Sequence, residues 1–359
     1  MHKIKLLVVG VSWPVETFLA CLISGLSEKG FEITLASRKK PDSTWATPRK
    51  INWFSLALLK RFPFLVGRYN VIYFPWNSAA IENLEFFEQG IPAVVSCRGA
   101  QVNVAPHNPE RAALREGLKR IFERANLVHC VSEAIQREAF QYGLQPEKSV
   151  IIRPAVDPDF FSPAASPVRK KSDSLLVIST GALIWRKGYE YALCAIRQLI
   201  DQGIPAQYEI IGDGPERQRI LYTVQDLGLE ENVFLSGWLS PEKVRDRLRD
   251  SDIFLLSSLS EGISNAVLEA MSCGLPVITT DCGGMREAIG GAEGFIVPVR
   301  DAGAVAASLK ILSQKKELAL RMGFAAREKI RQSFQLKAQV DSFSRLFEQT
   351  QQAPHVKCP

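Results

Sequence analysis

The chain has 359 residues, 46% of them hydrophobic; that length exceeds the range in which one core usually keeps growing, so two cores are expected. The 44 Lys and Arg against 38 Asp and Glu leave a mildly basic balance, too weak to argue for nucleic acid but compatible with an anionic substrate or membrane surface. Seven cysteines, Cys21, Cys97, Cys130, Cys194, Cys273, Cys282 and Cys358, are scattered without a Cys-x-x-Cys pair, which reads as reduced thiols of a cytosolic protein and excludes a disulfide scaffold.

The start, Met1 to Gly10, joins a basic residue to an apolar run in the manner of a secretory signal. Trp13, Pro14 and Glu16 interrupt it early and no small-residue cleavage site follows, so it reads as a first strand. Further strands are expected at Glu32 to Ala36, Val71 to Phe74, Ala93 to Ser96, Leu127 to Val131 and Ser149 to Ile152, with helices at Glu16 to Glu28 and Arg111 to Glu123. Between them, Trp53 to Val66 carries Leu56, Leu58, Leu59, Phe62, Phe64 and Leu65 beside Lys60 and Arg61, downstream of Lys39, Lys40, Arg49 and Lys50. It reads either as a segment lying on an anionic membrane or as a buried helix broken by Pro63. No apolar run approaches the roughly 20 residues that span a bilayer.

Periodicity is lost from Arg153 to Pro163, and Ala164 to Asp173 is polar and basic; a linker is placed here, with a first domain over 1–163 and a second over 164–335. The second half restarts with strands at Leu175 to Ser179, Tyr208 to Ile211, Val233 to Leu235, Ile253 to Leu256, Val277 to Thr280 and Phe295 to Val297, and a last helix is expected over Ala338 to Gln349. Strands alternating with helical patterns argue for an α/β chain of parallel sheets covered by helices.

The densest chemistry lies in Ser260-Glu261-Gly262-Ile263-Ser264-Asn265-Ala266-Val267-Leu268-Glu269, ahead of Gly274 and Pro276. Gly262 lets the backbone come close, Ser264 or Asn265 can cap a helix, and the leading amides of that helix carry partial positive charge suited to a phosphate. Glu261 stands just before the helix and Glu269 about five residues inside it, roughly 7–8 Å further along. Upstream, Arg186 and Lys187 precede a helix beginning near Tyr189, the unfavourable end for cations, and an anion between them would remove the conflict. Asp250-Ser251-Asp252 leads straight into a buried strand and reads as structural, so no catalytic metal is expected.

The spacing Glu261-x7-Glu269 within this run, followed by Thr280-Asp281-Cys282-Gly283-Gly284-Met285-Arg286-Glu287, closely resembles the retaining GT-B glycosyltransferases of family 4. The resemblance implies two Rossmann-like domains facing a cleft, an acceptor-binding one and then a donor-binding one, with 336–359 returning to the first as a helix plus tail. It further implies a nucleoside-diphosphate sugar as co-substrate and no separate cofactor. On that pattern Glu261 contacts sugar hydroxyls, Glu269 holds the ribose, and the amides of Gly262, Ile263, Ser264 and Asn265 meet the diphosphate. Lys187 matches the lysine that grips the diphosphate near Gly181; Ala182 stands where an arginine is usual, with Arg186 nearby. Gly212 and Gly214 resemble walls of the base pocket, and the base is read near Trp238 and Leu239.

On the acceptor side, Pro14-Val15-Glu16-Thr17-Phe18, after Trp13, resembles the exopolysaccharide and cell-surface polysaccharide subset; simple helix capping by Glu16 and Thr17 is an equal reading. Cys97-Arg98-Gly99-Ala100-Gln101 stands where many members carry His-Gly-x-Asp, so Arg98 replaces a sugar-contacting histidine. Arginine cannot act as a base but can bind a phosphate or hydroxyl. The catalytic set expected is Glu261, Lys187 and Arg98. The resemblance implies retaining transfer to a glycan or lipid-linked saccharide in the cytoplasm, with peripheral membrane contact compatible and no nucleic acid involved. The alternative is a catalytically weak nucleotide-sugar-binding subunit of a partner enzyme. An epimerase or phosphorylase would need an acid/base constellation that is not found, and no Gly-x-Gly-x-x-Gly follows the first strand to support a dehydrogenase.

Overall fold

The computed structural model describes residues 3–12, 15–37, 49–51, 66–164 and 174–352. It divides into two compact units, Met1–Pro154 with Leu336–Pro359, and Ala155–Gln335. In the first unit β1 (Lys5–Val11), β2 (Glu32–Ser37), β3 (Arg49–Ile51), β4 (Val71–Phe74), β5 (Ala93–Cys97), β6 (Leu127–Cys130) and β7 (Ser149–Ile151) form one sheet ordered β3-β2-β1-β4-β5-β6-β7. Every pairing is parallel. In the second, β8 (Leu175–Thr180), β9 (Ala206–Ile211), β10 (Val233–Gly237), β11 (Ile253–Leu256), β12 (Val277–Thr280) and β13 (Gly294–Val297) are ordered β10-β9-β8-β11-β12-β13, again all parallel. Both are doubly wound sheets, as expected. In each, the order reverses beside the first strand, between β1 and β4 and between β8 and β11. The loops at the carboxyl ends of those strands are where such sheets hold ligands.

The apolar runs are continuous in the central strands because both of their faces are covered. Leu7 and Val9 enter one core and Leu6 and Val8 the opposite one. Likewise Ile253 and Leu255 pack on one side of the second sheet, Phe254 and Leu256 on the other. The final helix, Leu336–Gln352, belongs to the first unit as the resemblance implied: Val340, Phe343, Leu346 and Phe347 share the core of Leu6, Val8 and Tyr73. The Phe347 ring lies 5.2 Å from that of Tyr73, and a Cβ on Gly25 would come within 2.6 Å of Val340, so the absence of a side chain there admits the helix.

Two expectations need correcting. The first boundary falls between Pro154 and Ala155, not at 163/164, because the irregular segment is anchored to the second unit. Val156 and Phe161 are buried in its core, Ser272 Oγ donates to the Phe161 carbonyl at 2.5 Å, and Arg249 Nε donates to that of Ser162 at 2.6 Å. The strand β3 was not expected, since Arg49–Ile51 offers three residues and no alternation. Most of the amphipathic Trp53 to Val66 stretch lies outside the described residues, as do Trp13, Lys39 and Lys40. Among the described residues no helix is long and apolar enough to cross a membrane, and Cys97, Cys130, Cys194, Cys273 and Cys282 are free thiols.

Phe347 is fully buried whereas Phe324 is 71% exposed. Phe347→Ala is expected to cost about 3–5 kcal/mol, read as a lowered urea midpoint by circular dichroism, and Phe324→Ala less than about 0.5 kcal/mol. Equal effects would mean that the final helix is not held by this core.

Candidate functional site

In the second unit the turn after β8 and the loop after β11 lie side by side. The chain leaves β8 at Gly181, makes a short 3-10 turn over Trp185–Lys187, and enters the helix Tyr189–Asp201 through Gly188 in the left-handed conformation, φ 59°. A Cβ on Gly188 would overlap the Ser257 carbonyl, so the glycine is needed for both conformation and approach. The two loops are then stitched: Leu259 N donates to the Arg186 carbonyl at 2.7 Å and Ser257 Oγ to that of Lys187 at 3.0 Å.

This brings Lys187 and Glu261 together. Lys187 Nζ lies 2.6 Å from Glu261 Oε1, with side chains 17% and 13% exposed. Ser258 Oγ donates to the same Oε1 at 2.7 Å. The lysine stem runs along Gly181, where an added Cβ would meet Lys187 Cε at 3.2 Å. The anion that the sequence called for beside Lys187 is therefore supplied by the chain itself. Arg186 is half-buried, and its guanidinium makes no hydrogen bond or ion pair among the described residues.

Below the pair, Ser264 takes the N-cap position of the helix Asn265–Ser272 but makes no side-chain cap hydrogen bond, so the leading amides lack a side-chain cap. Ser260 Oγ and Asn265 Oδ1 are buried without a partner among the described residues, polar atoms that call for a ligand or water. Glu269, five residues into the helix, is half-buried with no hydrogen bond or ion pair among the described residues, and burial pushes its carboxyl up to about 7. Gly262 is buried, and the Ile263 side chain belongs to the core, which leaves its backbone amide as the group available to a ligand. Gly212 packs on the Gly181 carbonyl and Gly214 on Leu183, each too close for a Cβ. Trp238 is 77% exposed, while the neighbouring Leu239 packs against the core. Asp252 Oδ2 accepts from the Leu176 amide at 3.0 Å, joining β11 to β8, which is the structural role expected of it.

In the first unit Arg98 follows β5. Its Nε donates to the Pro75 carbonyl at 3.0 Å and its Nη2 to Tyr73 OH at 2.9 Å, while its guanidinium lies 4.2 Å from the Phe18 ring centroid. Arg98 is therefore fixed from within and keeps only part of its donor set for a substrate. Tyr73 OH is 2.9 Å from Ser96 Oγ, which is 2.7 Å from His129 Nδ1, and His129 Nε2 is 2.8 Å from the Ile152 carbonyl oxygen. Burial, reinforced by the Arg98 cation, lowers His129 to about 3. Gly99, φ 143°, opens the short helix Ala100–Asn103. Glu16 occupies the N-cap position of the helix Thr17–Glu28 without capping it; Oε1 instead accepts from Ser12 Oγ at 2.8 Å, and Thr17 is exposed. His107 is 3.3 Å from Glu138 and exposed.

Sequence reasoning missed Ser258, Ser257 and the Tyr73–Ser96–His129 series. The serines had a signal, a polar run at the carboxyl end of a buried strand; the Tyr73 series had none, because its members are far apart in the chain.

Residues 15–160 match the family described as Glycosyltransferase Family 4, and residues 164–329 match Glycosyl transferases group 1. The chain is 34% identical over 225 residues to the putative colanic acid biosynthesis glycosyltransferase WcaL of Escherichia coli (strain K12), covering 60% of this chain and 55% of that protein. It is 32% identical over 222 residues to the amylovoran biosynthesis glycosyltransferase AmsK of Erwinia amylovora, covering 60% and 54%. The chain thus spans about half the length of the curated relatives it matches. Among solved structures, Anabaena Alr3699/HepE in complex with UDP aligns with a TM-score of 0.82 at 18% identity, over 97% of this chain and 100% of that one. Sucrose-phosphate synthase from Thermosynechococcus elongatus aligns with 0.83 at 20%, over 97% and 99%. These two show the shared fold.

The raised Glu269 carboxyl has a stability consequence of fixed sign. Below the ordinary value near 4.5 both folded and unfolded chains hold the proton; between 4.5 and about 7 only the folded chain does, so stability falls as pH rises through that window. The loss is about 3 kcal/mol at most. Glu269→Gln is expected to gain stability relative to wild type between about pH 4 and about pH 8, measured as thermal midpoints across pH. Parallel pH profiles for the two proteins would rule out a neutral Glu269.

Proposed function

From the premise that the chain is a GT-B glycosyltransferase of family 4, matched over both halves, we propose that it transfers a sugar from a nucleoside diphosphate to a glycan or lipid-linked saccharide, with anomeric configuration retained. The observation that carries this reading is the Lys187–Glu261 pair beside the uncapped helix Asn265–Ser272 at the carboxyl ends of β8 and β11. Lys187 and the helix amides would stabilise the diphosphate, Glu261 would accept from sugar hydroxyls, and Glu269 would accept from the ribose. Hydrogen bonds from the ribose hydroxyls would favour the ionised form of Glu269. Exposed Trp238 would present an aromatic face and nearby backbone to the base. Arg98, held by Tyr73 and Pro75, would meet the acceptor or its phosphate, with Glu16 and Gly99 in the neighbouring loops.

The acceptor hydroxyl attacks the anomeric carbon on the face from which the diphosphate departs. The bond from that carbon to the phosphate oxygen breaks with its electron pair, the new glycosidic bond forms, and the acceptor proton passes to the leaving diphosphate. Lys187 and the amides meet the charge that develops there, so the protein contributes position and electrostatics and the reaction is proposed to need no metal. The names of WcaL and AmsK support a place in cell-surface polysaccharide biosynthesis, which would put the protein in the cytoplasm with its substrate at the membrane. HepE in complex with UDP-glucose supports a uridine donor as the first to test.

The purified protein is to be incubated singly with UDP-, GDP-, ADP- and dTDP-sugars while thermal shift and nucleoside diphosphate release are measured. One donor is expected to raise the midpoint and release diphosphate slowly, unaffected by a chelator, with release lost in Glu261→Ala and both responses lost in Lys187→Ala. Binding without release, even with lipid-linked acceptors added, would identify a donor-binding subunit instead; no binding would remove the donor-site assignment.

A further inference from the structure

The cation expected to grip a diphosphate is already neutralised. Glu261 Oε1 takes one hydrogen bond from Lys187 at 2.6 Å and one from Ser258 Oγ at 2.7 Å. The backbone that carries each partner is anchored. The backbone of Lys187 is held by Ser257 Oγ and its stem lies against Gly181. Glu261 is fixed from the other side: Gly283 is packed on its carbonyl too closely for a Cβ, Gly284 N donates to the Gly262 carbonyl at 2.6 Å, and Thr280 Oγ1 donates to that of Ser258.

A diphosphate arriving alone meets a site with an unfavourable balance. To bind Lys187 fully it must compete with a carboxylate that Ser258 also holds in place, and it brings further negative charge beside that carboxylate. A half-buried carboxylate stripped of its cation costs free energy unless other donors replace it. Sugar hydroxyls are such donors. When the diphosphate carries its sugar, Glu261 can exchange the lysine for hydroxyls while Lys187 turns to the phosphate.

We propose that the Lys187–Glu261 pair is a specificity-determining contact through which the site selects the intact nucleotide-sugar over the bare nucleoside diphosphate. The inference rests on the donor-site reading above and adds a consequence for turnover. Once the sugar has left, Glu261 loses its hydroxyl partners and recaptures Lys187, so the product diphosphate is displaced by a group of the protein itself. Ser258 serves this exchange by holding Glu261 Oε1 in place in both states.

The test uses the nucleoside diphosphate and the free sugar that make up whichever donor the panel identifies, measured by titration calorimetry on the full chain. In the wild type, saturating free sugar is expected to tighten nucleoside diphosphate binding by about tenfold, within the usual range of coupling between two sites. Glu261→Gln keeps the shape of the side chain and removes its charge. It is expected to bind the bare diphosphate about tenfold more tightly than wild type, the scale of one charge-assisted hydrogen bond, and to lose the coupling to sugar. Diphosphate binding that ignores the sugar in the wild type would overturn the inference without recourse to a variant. So would a folded Glu261→Gln protein that binds diphosphate no more tightly, while the donor-site reading would stand in both cases. A wild type that binds neither the intact nucleotide-sugar nor the nucleoside diphosphate, with or without sugar, would take down that reading and this inference together.

Discussion

Positive charge at the head of a helix is unfavourable unless something negative stands beside it, and the second unit meets that constraint with Glu261. Much of the local structure follows from keeping this one contact. The order of the sheet puts β8 beside β11, so the two loops begin as neighbours. Gly188 takes the left-handed turn that aims the chain back over Ser257, and Gly283 lets the loop after β12 close on the Glu261 carbonyl. Three loops distant in sequence are thereby tied backbone to backbone, and the charged groups they carry are placed to within hydrogen-bonding reach. Rigid placement of this sort is what a site needs when its work is electrostatic, because nothing has to reorganise as charge develops.

The expected strands and the expected site were legible for different reasons. Strands buried on both faces must be apolar throughout, and Ile253–Leu256 or Val71–Phe74 admit little else. Glu261, Gly262 and Glu269 were legible because carboxylates around a glycine turn and a helix start have few uses together. What stayed hidden depends on contacts between distant residues. No local pattern announces that Ser258 shares an oxygen with Lys187, or that Tyr73, Ser96 and His129 touch. The domain boundary is hidden for a similar reason: Arg153 to Pro163 has no periodicity, yet Val156 and Phe161 bury themselves in the second core. The helix Leu336–Gln352 shows the converse. Its apolar face reads plainly, but only the tertiary structure says which core receives it.

The two units handle buried polarity in opposite ways. In the second, opposite charges are paired and hydrogen-bonded at a half-buried site, an arrangement that is costly to break on one side only and for that reason responsive to a ligand able to replace one partner. In the first, the series from Arg98 to Ile152 has its direction set at both ends. Arginine can only donate and a backbone carbonyl can only accept. With His129 neutral, Nε2 carries the hydrogen given to Ile152, so Ser96 donates to Nδ1 and Tyr73 donates to Ser96 while accepting from Arg98.

That direction leaves no lone pair on His129 for any further proton, in accord with the lowering that burial and then Arg98 impose on it. The only fully buried histidine among the described residues is thus excluded as a general base by its hydrogen bonds as well as by its depth. Its work is to hold Ser96, and through it Tyr73 and Arg98. The first unit thus fixes an arginine with a tyrosine hydroxyl and a backbone carbonyl, and the second holds a lysine with a carboxylate.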